Sequence, residues 1–164
     1  MPTPTAKPRS SAPASTQIKG FIDKFDPAIA RLTRSCRTAL RKRFPTATEL
    51  VYDNYQALAF GFCSTDRASD AIVSLAVMPR KVTLCFVYGA RLTDPKKLLH
   101  GGGNQVRFLT LDGAATLTRP DVESLLRAAV AQGKVALPKT GKGKTIVKSV
   151  SVKQRPRRPK DGRR

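Results

Sequence analysis

The stretch FVYGARLTDPKKLLHGGGNQVRFLTL, residues 86–111, is the part of the sequence that is most informative about the fold. It begins inside a strand-like apolar run, which stops at Gly89. A short helical turn is then expected to open at Asp94-Pro95 and to end at the three glycines 101–103. A second strand-like run follows and carries Arg107. The stretch therefore predicts two strands joined by a tight connection, in which at least one glycine takes a positive φ.

More strands are predicted on the N-terminal side of this stretch. The runs Ala71–Met78 and Lys81–Tyr88 are apolar, and Pro79-Arg80 between them is a turn sequence, so they predict a hairpin. Glu49–Tyr52 and Gln56–Cys63 are also strand-like. Because successive strands with short connections usually pair side by side, the sheet is expected to be antiparallel.

Helices are predicted on both sides of the strands. Gln17–Phe25 shows helical spacing, Asp26-Pro27 is typical of a helix start, and the next helix should end near Phe44, before a proline. A last helix is predicted to open at 119–121 and to end at Gly133. This order predicts an α+β fold with an antiparallel sheet of about five strands and helices packed on one face.

The composition changes at both ends of the chain. Residues 1–16 are rich in Pro, Ser, Thr and Ala and predict a disordered N-terminal tail, so the α+β domain is assigned to 17–132. Residues 133–164 predict a basic, largely extended C-terminal arm, in which Ile146 to Val152 could form one strand against the domain. We expect the fold to survive trimming of 154–164, because that segment has almost no apolar residues.

The chain is strongly basic, with 31 Lys and Arg against 11 acidic residues and a net charge of +20. Residues 131–164 alone hold 12 of these cations and one acid. Such a field attracts polyanions, of which nucleic acid is the commonest. In the long helix, Arg31, Arg34, Arg37 and Arg41 lie opposite the apolar stripe of Ile29, Leu32, Cys36 and Leu40.

A polyanion surface is therefore predicted from the helix row and the arm together. Its contacts would be to phosphates without base readout, because aromatic residues are absent from the arm. The predicted polyanion-binding residues are Arg31, Arg34, Arg37, Arg41, Lys42, Arg43, Lys148, Lys153, Arg155, Arg157 and Arg158.

A small-molecule pocket is the alternative hypothesis. Two phenols, a carboxylate and an amide stand together at 52–55, and the glycine turn with Arg107 could supply anion donors. The same residues can be explained as turn and cap residues. The candidate pocket residues are Tyr52, Asp53, Asn54, Tyr55, Gly102, Asn104 and Arg107.

The sequence suggests no cofactor, metal site or catalytic centre. His100 is the single histidine, and the three cysteines are far apart and form no metal-binding spacing. No apolar run reaches the length of a membrane span. Thiols in apolar stretches fit a reducing compartment, so we expect a cytoplasmic, non-enzymatic protein. The oligomeric state cannot be inferred.

Three segments resemble a bacterial family of unassigned function, the YdhG-like domains. They are YDNYQALAFGF at Tyr52–Phe62, GARLTDPKKLLHGGGNQVR at Gly89–Arg107 and KSVSVKQRPRRP at Lys148–Pro159. The resemblance covers roughly Gln17–Gln132 and part of the arm. It implies a frataxin-like sandwich of two helices on an antiparallel sheet. An iron-handling role, discussed for the family, would need an acidic first long helix, whereas this helix is rich in arginine.

Overall fold

The computed structural model describes residues 12–159, which contain three α-helices and six β-strands. The helices are α1 Ala14–Asp23, α2 Pro27–Arg43 and α3 Pro120–Ala131. The strands are β1 Thr48–Asp53, β2 Leu58–Cys63, β3 Ala71–Met78, β4 Lys81–Phe86, β5 Arg107–Leu111 and β6 Thr145–Val150. Short 3-10 turns lie between some of them.

The six strands form one mixed sheet in the order β5-β4-β3-β2-β1-β6. Strands β1 to β5 pair antiparallel with their neighbours, and β6 pairs parallel with β1. The α+β class predicted from the sequence is confirmed. The sheet is larger than the predicted five strands because part of the basic arm joins it at the β1 edge.

The hydrophobic core lies between one face of the sheet and the helices. One row across the sheet, Phe60, Leu75 and Leu84, pairs strand to strand and is fully buried. Residues two positions along each strand continue this face, as the pleat requires, and they form a single cluster with the buried side chains of the helices. Leu50 on the opposite face is also buried but does not belong to this cluster.

Prolines and turns define the ends of these elements as the sequence indicates. Helix α2 begins with Pro27 in its first turn, and α3 begins with Pro120. The β3–β4 hairpin forms with its turn at Pro79-Arg80. Gly101 has a φ of 123°, which confirms the predicted positive φ in the glycine turn.

The C-terminal arm packs on the domain as far as it is described. Strand β6 occupies the sheet edge, and Ser151 continues the pairing by donating its backbone N–H to the Asp53 carbonyl (2.9 Å). Arg157 is only 5% exposed. Trimming from 154 would remove this buried side chain, which argues against the expectation that the fold tolerates that deletion; the expectation itself stays a prediction. Most of the predicted N-terminal tail lies outside the described residues, and α1 begins at Ala14.

Within residues 12–159 we find no helix that is both long and apolar enough to cross a membrane.

Candidate polyanion interface

A buried ion pair attaches the C-terminal arm to the domain. The Asp53 side chain at the end of β1 is fully buried, and its Oδ1 lies 2.9 Å from Nη2 of Arg157. The other carboxylate oxygen, Oδ2, lies 2.7 Å from Nζ of Lys24. A buried carboxylate is costly unless it is paired and hydrogen-bonded, so Asp53 requires both cations.

The Arg157 guanidinium makes further contacts that fix the arm. It donates hydrogen bonds to the carbonyls of Asn54 and Tyr55, and its Cζ lies 5.7 Å from the centre of the Phe25 ring. Its Nε is buried and has no hydrogen-bond partner among the described residues. Gln154 adds a hydrogen bond from Nε2 to the Asp53 carbonyl (3.0 Å). A guanidinium held in this way is not available to a polyanion, so the structure removes Arg157 from the predicted binding set.

The structure does not bring Asp53 and Arg107 together. Asp53 lies on β1 and Arg107 on β5, with three strands between them in the sheet. At a strand spacing of ~4.8 Å, the two backbones are about 19 Å apart. Arg107 instead donates to the carbonyls of Gly103 (2.5 Å) and Val106 (2.9 Å). The residues proposed for one small-molecule pocket therefore belong to two separate places.

The other members of that set are also dispersed. Tyr52 is half-buried, and burial together with the nearby Cys63 raises the pKa of its phenol. Asn54 is exposed in the β1–β2 turn, and Tyr55 beside it is 49% exposed. Gly102 and Asn104 are exposed in the turn before β5.

Helix α2 does not present all its arginines to solvent. Cys36 and Leu40 are buried as predicted, whereas Ile29 and Leu32 are only partly buried and Ala30 and Thr33 take the fully buried positions beside them. Arg37 is directed toward the sheet, where its Nε and Nη2 each lie 2.8 Å from a carboxylate oxygen of the buried Glu49. Its Cζ also lies 5.4 Å from the Phe60 ring centre. Arg37 therefore serves to neutralise Glu49.

Three more predicted cations of α2 have acidic partners, and the weakest of these pairs is that of Arg41, whose Nε lies 4.0 Å from Oε1 of Glu49. Arg34 pairs with Asp23 of α1. Arg43 binds Glu123 of α3 through two hydrogen bonds of 2.8 and 3.0 Å, and this hydrogen bonding lowers the pKa of the Glu123 carboxyl. The Arg34 and Arg43 pairs join the helices to one another. Their arginines are partly neutralised, which weakens them as contacts for another anion.

Three other predicted cations, Arg31, Arg155 and Arg158, line a depression that we name the basic groove. It runs between the arm, the β3–β4 turn and the start of α2, as two adjoining hollows of about 520 and 370 Å³ that share Pro79, Arg80 and Pro159. The cations that line the basic groove are Arg31, Arg80, Lys81, Arg155 and Arg158, all exposed.

Within the described residues one acid, Asp26, lines the groove, and it is paired. Asp26 lies 3.8 Å from Nη1 of Arg158, which also donates through Nε to the Lys24 carbonyl (3.1 Å). Arg155 donates from its backbone to the Tyr55 carbonyl (2.9 Å) and from Nη1 to Oε1 of Gln56 (3.2 Å). The basic groove is therefore the place where one predicted cation of the helix, Arg31, lies near two predicted cations of the arm, Arg155 and Arg158.

Sequence reasoning did not select Arg80 and Lys81, which complete the groove. The sequence could have indicated them, because these two consecutive cations follow a proline at a predicted hairpin turn and so project from the end of the sheet. Their relation to the arm was not visible, since it depends on how residues 155–159 return to the domain.

A smaller basic cleft lies at the other end of α2. Arg41 and Lys42 share it with Lys142 and Lys144, which precede β6, and all four are exposed. Glu49 also lines this cleft but is paired with Arg37. Of the other predicted cations, Lys148 on the edge strand and Lys153 in the arm are exposed.

The described residues offer little for redox or metal chemistry. No group of three or more His, Cys, Asp and Glu in this part of the chain is placed to hold a metal ion. Burial raises the pKa of the Cys36 thiol to about 11 and that of Cys63 to about 12. Both are therefore protonated and weakly nucleophilic at neutral pH.

Comparison with known proteins gave no relative: the chain matches no protein-family model, no curated protein and no solved structure.

Proposed function

We propose that this protein is a non-enzymatic domain that binds single-stranded nucleic acid along the basic groove. The observation that carries the proposal is the meeting of five exposed cations from three parts of the chain, against one groove-lining acid among residues 12–159, Asp26, which pairs with one of the five, Arg158. Cations converging in this way can neutralise successive phosphates and release their counterions, which drives binding.

The exposed face of α2 extends the groove toward the second basic cleft. Arg31 lies in the groove and Arg41 in the cleft, ten residues further along the helix. That spacing corresponds to ~15 Å along the axis. Both ends of the helix therefore offer cations to one extended backbone.

Tyr55 favours a single strand over a duplex as the ligand. Its side chain is 49% exposed, and its backbone carbonyl accepts the Arg155 N–H, so Tyr55 neighbours a residue that lines the groove. An exposed aromatic ring next to arginines offers a stacking surface for an unpaired base. Bases inside a duplex cannot stack in this way.

The resemblance to YdhG-like domains remains part of the proposal. Two helices before an antiparallel meander and one helix after it support a frataxin-like arrangement. Fold alone does not define function, and the arginines of α2 give an iron ion no ligand. Buried protonated thiols support the proposed cytoplasmic location.

The proposal is tested by measuring the binding of a labelled single-stranded oligonucleotide at about 50 mM salt, where electrostatic association is strong. The groove variant carries Arg80→Gln, Lys81→Gln and Arg155→Gln. The matched control carries Lys97→Gln, Arg119→Gln and Arg127→Gln, which removes the same charge from the α3 side. We expect the groove variant to bind at least tenfold more weakly, and the control to change much less.

Tyr55→Ala separates stacking from charge. It should weaken single-strand binding by about 1–3 kcal/mol and leave the weaker binding of a duplex almost unchanged. An equal decrease in affinity in the groove and control variants would contradict the groove as the site. An unchanged affinity in Tyr55→Ala would contradict the assignment of a single strand.

A further inference from the structure

A pocket distinct from the basic groove and the second basic cleft lies at the opposite end of the sheet from the groove. It is formed where β2 ends, β3 begins and β4 ends, and α3 closes it with its last turn. The hollow is about 320 Å³, within the range of small-molecule sites. Strand β3 spans the distance from this pocket to the groove, about 24 Å over its eight residues. The two sites are therefore physically separate.

The wall of this strand-end pocket is fixed by hydrogen bonds. Tyr88 donates from its hydroxyl to the Ser69 carbonyl (2.8 Å), and Gln132 donates from Nε2 to the Tyr88 carbonyl (3.1 Å). Across the pocket, Ser64 donates its backbone N–H to the Asp70 carbonyl (3.1 Å). These bonds tie the loop after β2, the end of β4 and the end of α3 together, so the pocket is largely preformed.

Three cations and one carboxylate line it. Arg67, Arg91 and Lys134 come from three different connections, and within residues 12–159 none of them is ion-paired. Arg91 is held over the Tyr88 ring, with its Cζ 5.6 Å from the ring centre. Asp70 accepts a hydrogen bond from Thr65 at Oδ2 (2.7 Å), which leaves Oδ1 for another donor. The lining thus has a surplus of two positive charges.

Other lining groups give the ligand its remaining features. The buried Ser64 offers a hydroxyl, and the Gln132 side chain retains its amide oxygen as an acceptor. Ile72, Ala129 and Val135 supply an apolar wall. A ligand that satisfies all of these groups carries two negative charges, a hydroxyl or amine donor and a short carbon body.

We infer that the strand-end pocket binds a small organic dianion, either a phosphate monoester or a dicarboxylate that bears a hydroxyl group. Arg67, Arg91 and Lys134 bind the anionic groups, and Asp70 accepts a hydrogen bond from the ligand hydroxyl. This site is independent of the basic groove and of the proposed nucleic-acid binding.

The test is a titration of the full chain followed by amide NMR shifts and calorimetry. The probes are ribose 5-phosphate, malate, inorganic phosphate and, as an uncharged control, ribose. We expect saturable binding of ribose 5-phosphate or malate, with the largest shifts at residues 64–72 and 132–135, and no binding of ribose. The preference between the two acids tells a phosphate site from a carboxylate site.

Variants then locate the site. Arg91→Gln with Lys134→Gln should weaken binding of the better probe by about tenfold or more, because each removed cation takes away a charge-assisted hydrogen bond. The groove variant described above should bind that probe unchanged, which separates this inference from the proposed function. The inference is overturned if neither acid binds below about 10 mM, if inorganic phosphate binds equally well, or if the two variants weaken binding equally.

Discussion

At the residue scale, Asp53 and Arg157 are the most consequential pair in the chain. They are 104 residues apart, and their ion pair is buried at the joint between β1 and the arm. Arg157 does not reach the groove, but it holds the segment that presents Arg155 and Arg158. The pair therefore has a structural role that in turn positions the proposed binding surface.

Arg157→Met should destabilise the protein by about 3 kcal/mol, because it leaves the buried Asp53 without one of its two cations. The low end of the usual range is expected, since Lys24 still contacts the carboxylate. Arg155→Met is the matched control and should change the free energy of unfolding by less than ~0.5 kcal/mol, as expected for an exposed side chain. Urea unfolding gives both values, and equal costs would show that the Asp53–Arg157 pair does not anchor the arm.

Cys63 makes stability fall at alkaline pH. Burial, aided by Asp70, raises the pKa of the folded thiol to about 12, above its value in the unfolded chain. The stabilisation is complete below about pH 8.5 and decreases as the pH rises toward 12, because only the unfolded chain readily ionises there. Between pH 8 and 10, the free energy of unfolding of the unaltered chain should fall by about 2 kcal/mol more than that of Cys63→Ala, measured by urea unfolding at each pH. A parallel decrease in the two proteins would rule this out.

The sequence analysis selected Asp53 as a candidate pocket residue but did not predict its role in a buried ion pair. The residue was selected because it stands among polar groups at a strand end, which is a local signal. Its partners, Lys24 and Arg157, lie far away on either side in the sequence, and their approach depends on the parallel addition of β6. A long-range pair of this kind leaves no spacing that a single sequence can reveal.

At the scale of elements, the sequence predicted the ends of helices and strands correctly where a proline or a turn sequence defines that end. The β3–β4 hairpin and helices α2 and α3 begin or turn at their prolines as predicted. The C-terminal arm was predicted to be largely extended, with one possible strand from Ile146 to Val152 against the domain, but the edge that β6 joins was not predicted. The pairing of β6 with β1 needs a crossover that includes α3, and only the complete fold shows this.

Gly143 is expected to be essential for the way β6 joins the sheet. A Cβ atom at this position would lie 1.7 Å from the Ala47 carbonyl oxygen, and the Gly143 N–H donates to the Pro45 carbonyl (2.9 Å). Gly143→Ala should therefore cost about 2 kcal/mol or more, since backbone must move to accept it.

Gly102→Ala is the control for this substitution, because no atom lies within 4 Å of a Cβ there. It should be nearly neutral. Urea unfolding measures both variants, and hydrogen exchange of the β6 amides should increase in Gly143→Ala alone. If both glycines tolerate alanine equally, the crossover before β6 is looser than the structure indicates.

At the scale of the whole molecule, the distribution of charge explains both the fold and the proposed function. Six of the ten acidic residues in the described part form ion pairs with Lys or Arg, and all of these pairs except the local Arg119–Asp121 pair join different elements among the helices, sheet and arm. Most of the acids are thus engaged in ion pairs within the protein, and the excess of cations lies at the surface. The composition of the sequence gives the net charge. It does not show which cations lack an acidic partner, because the ion pairs depend on the fold.

The most direct test of the central claim is the salt dependence of single-strand binding. Affinities are measured from about 50 to 300 mM salt for the unaltered chain, the groove variant and the control variant. Each phosphate interaction that a variant removes should reduce the slope of log K against log salt by ~0.7, so the slope should fall by about 2 in the groove variant and hardly at all in the control. An unchanged slope in the groove variant, or no binding by the unaltered chain at about 50 mM salt, would contradict the account.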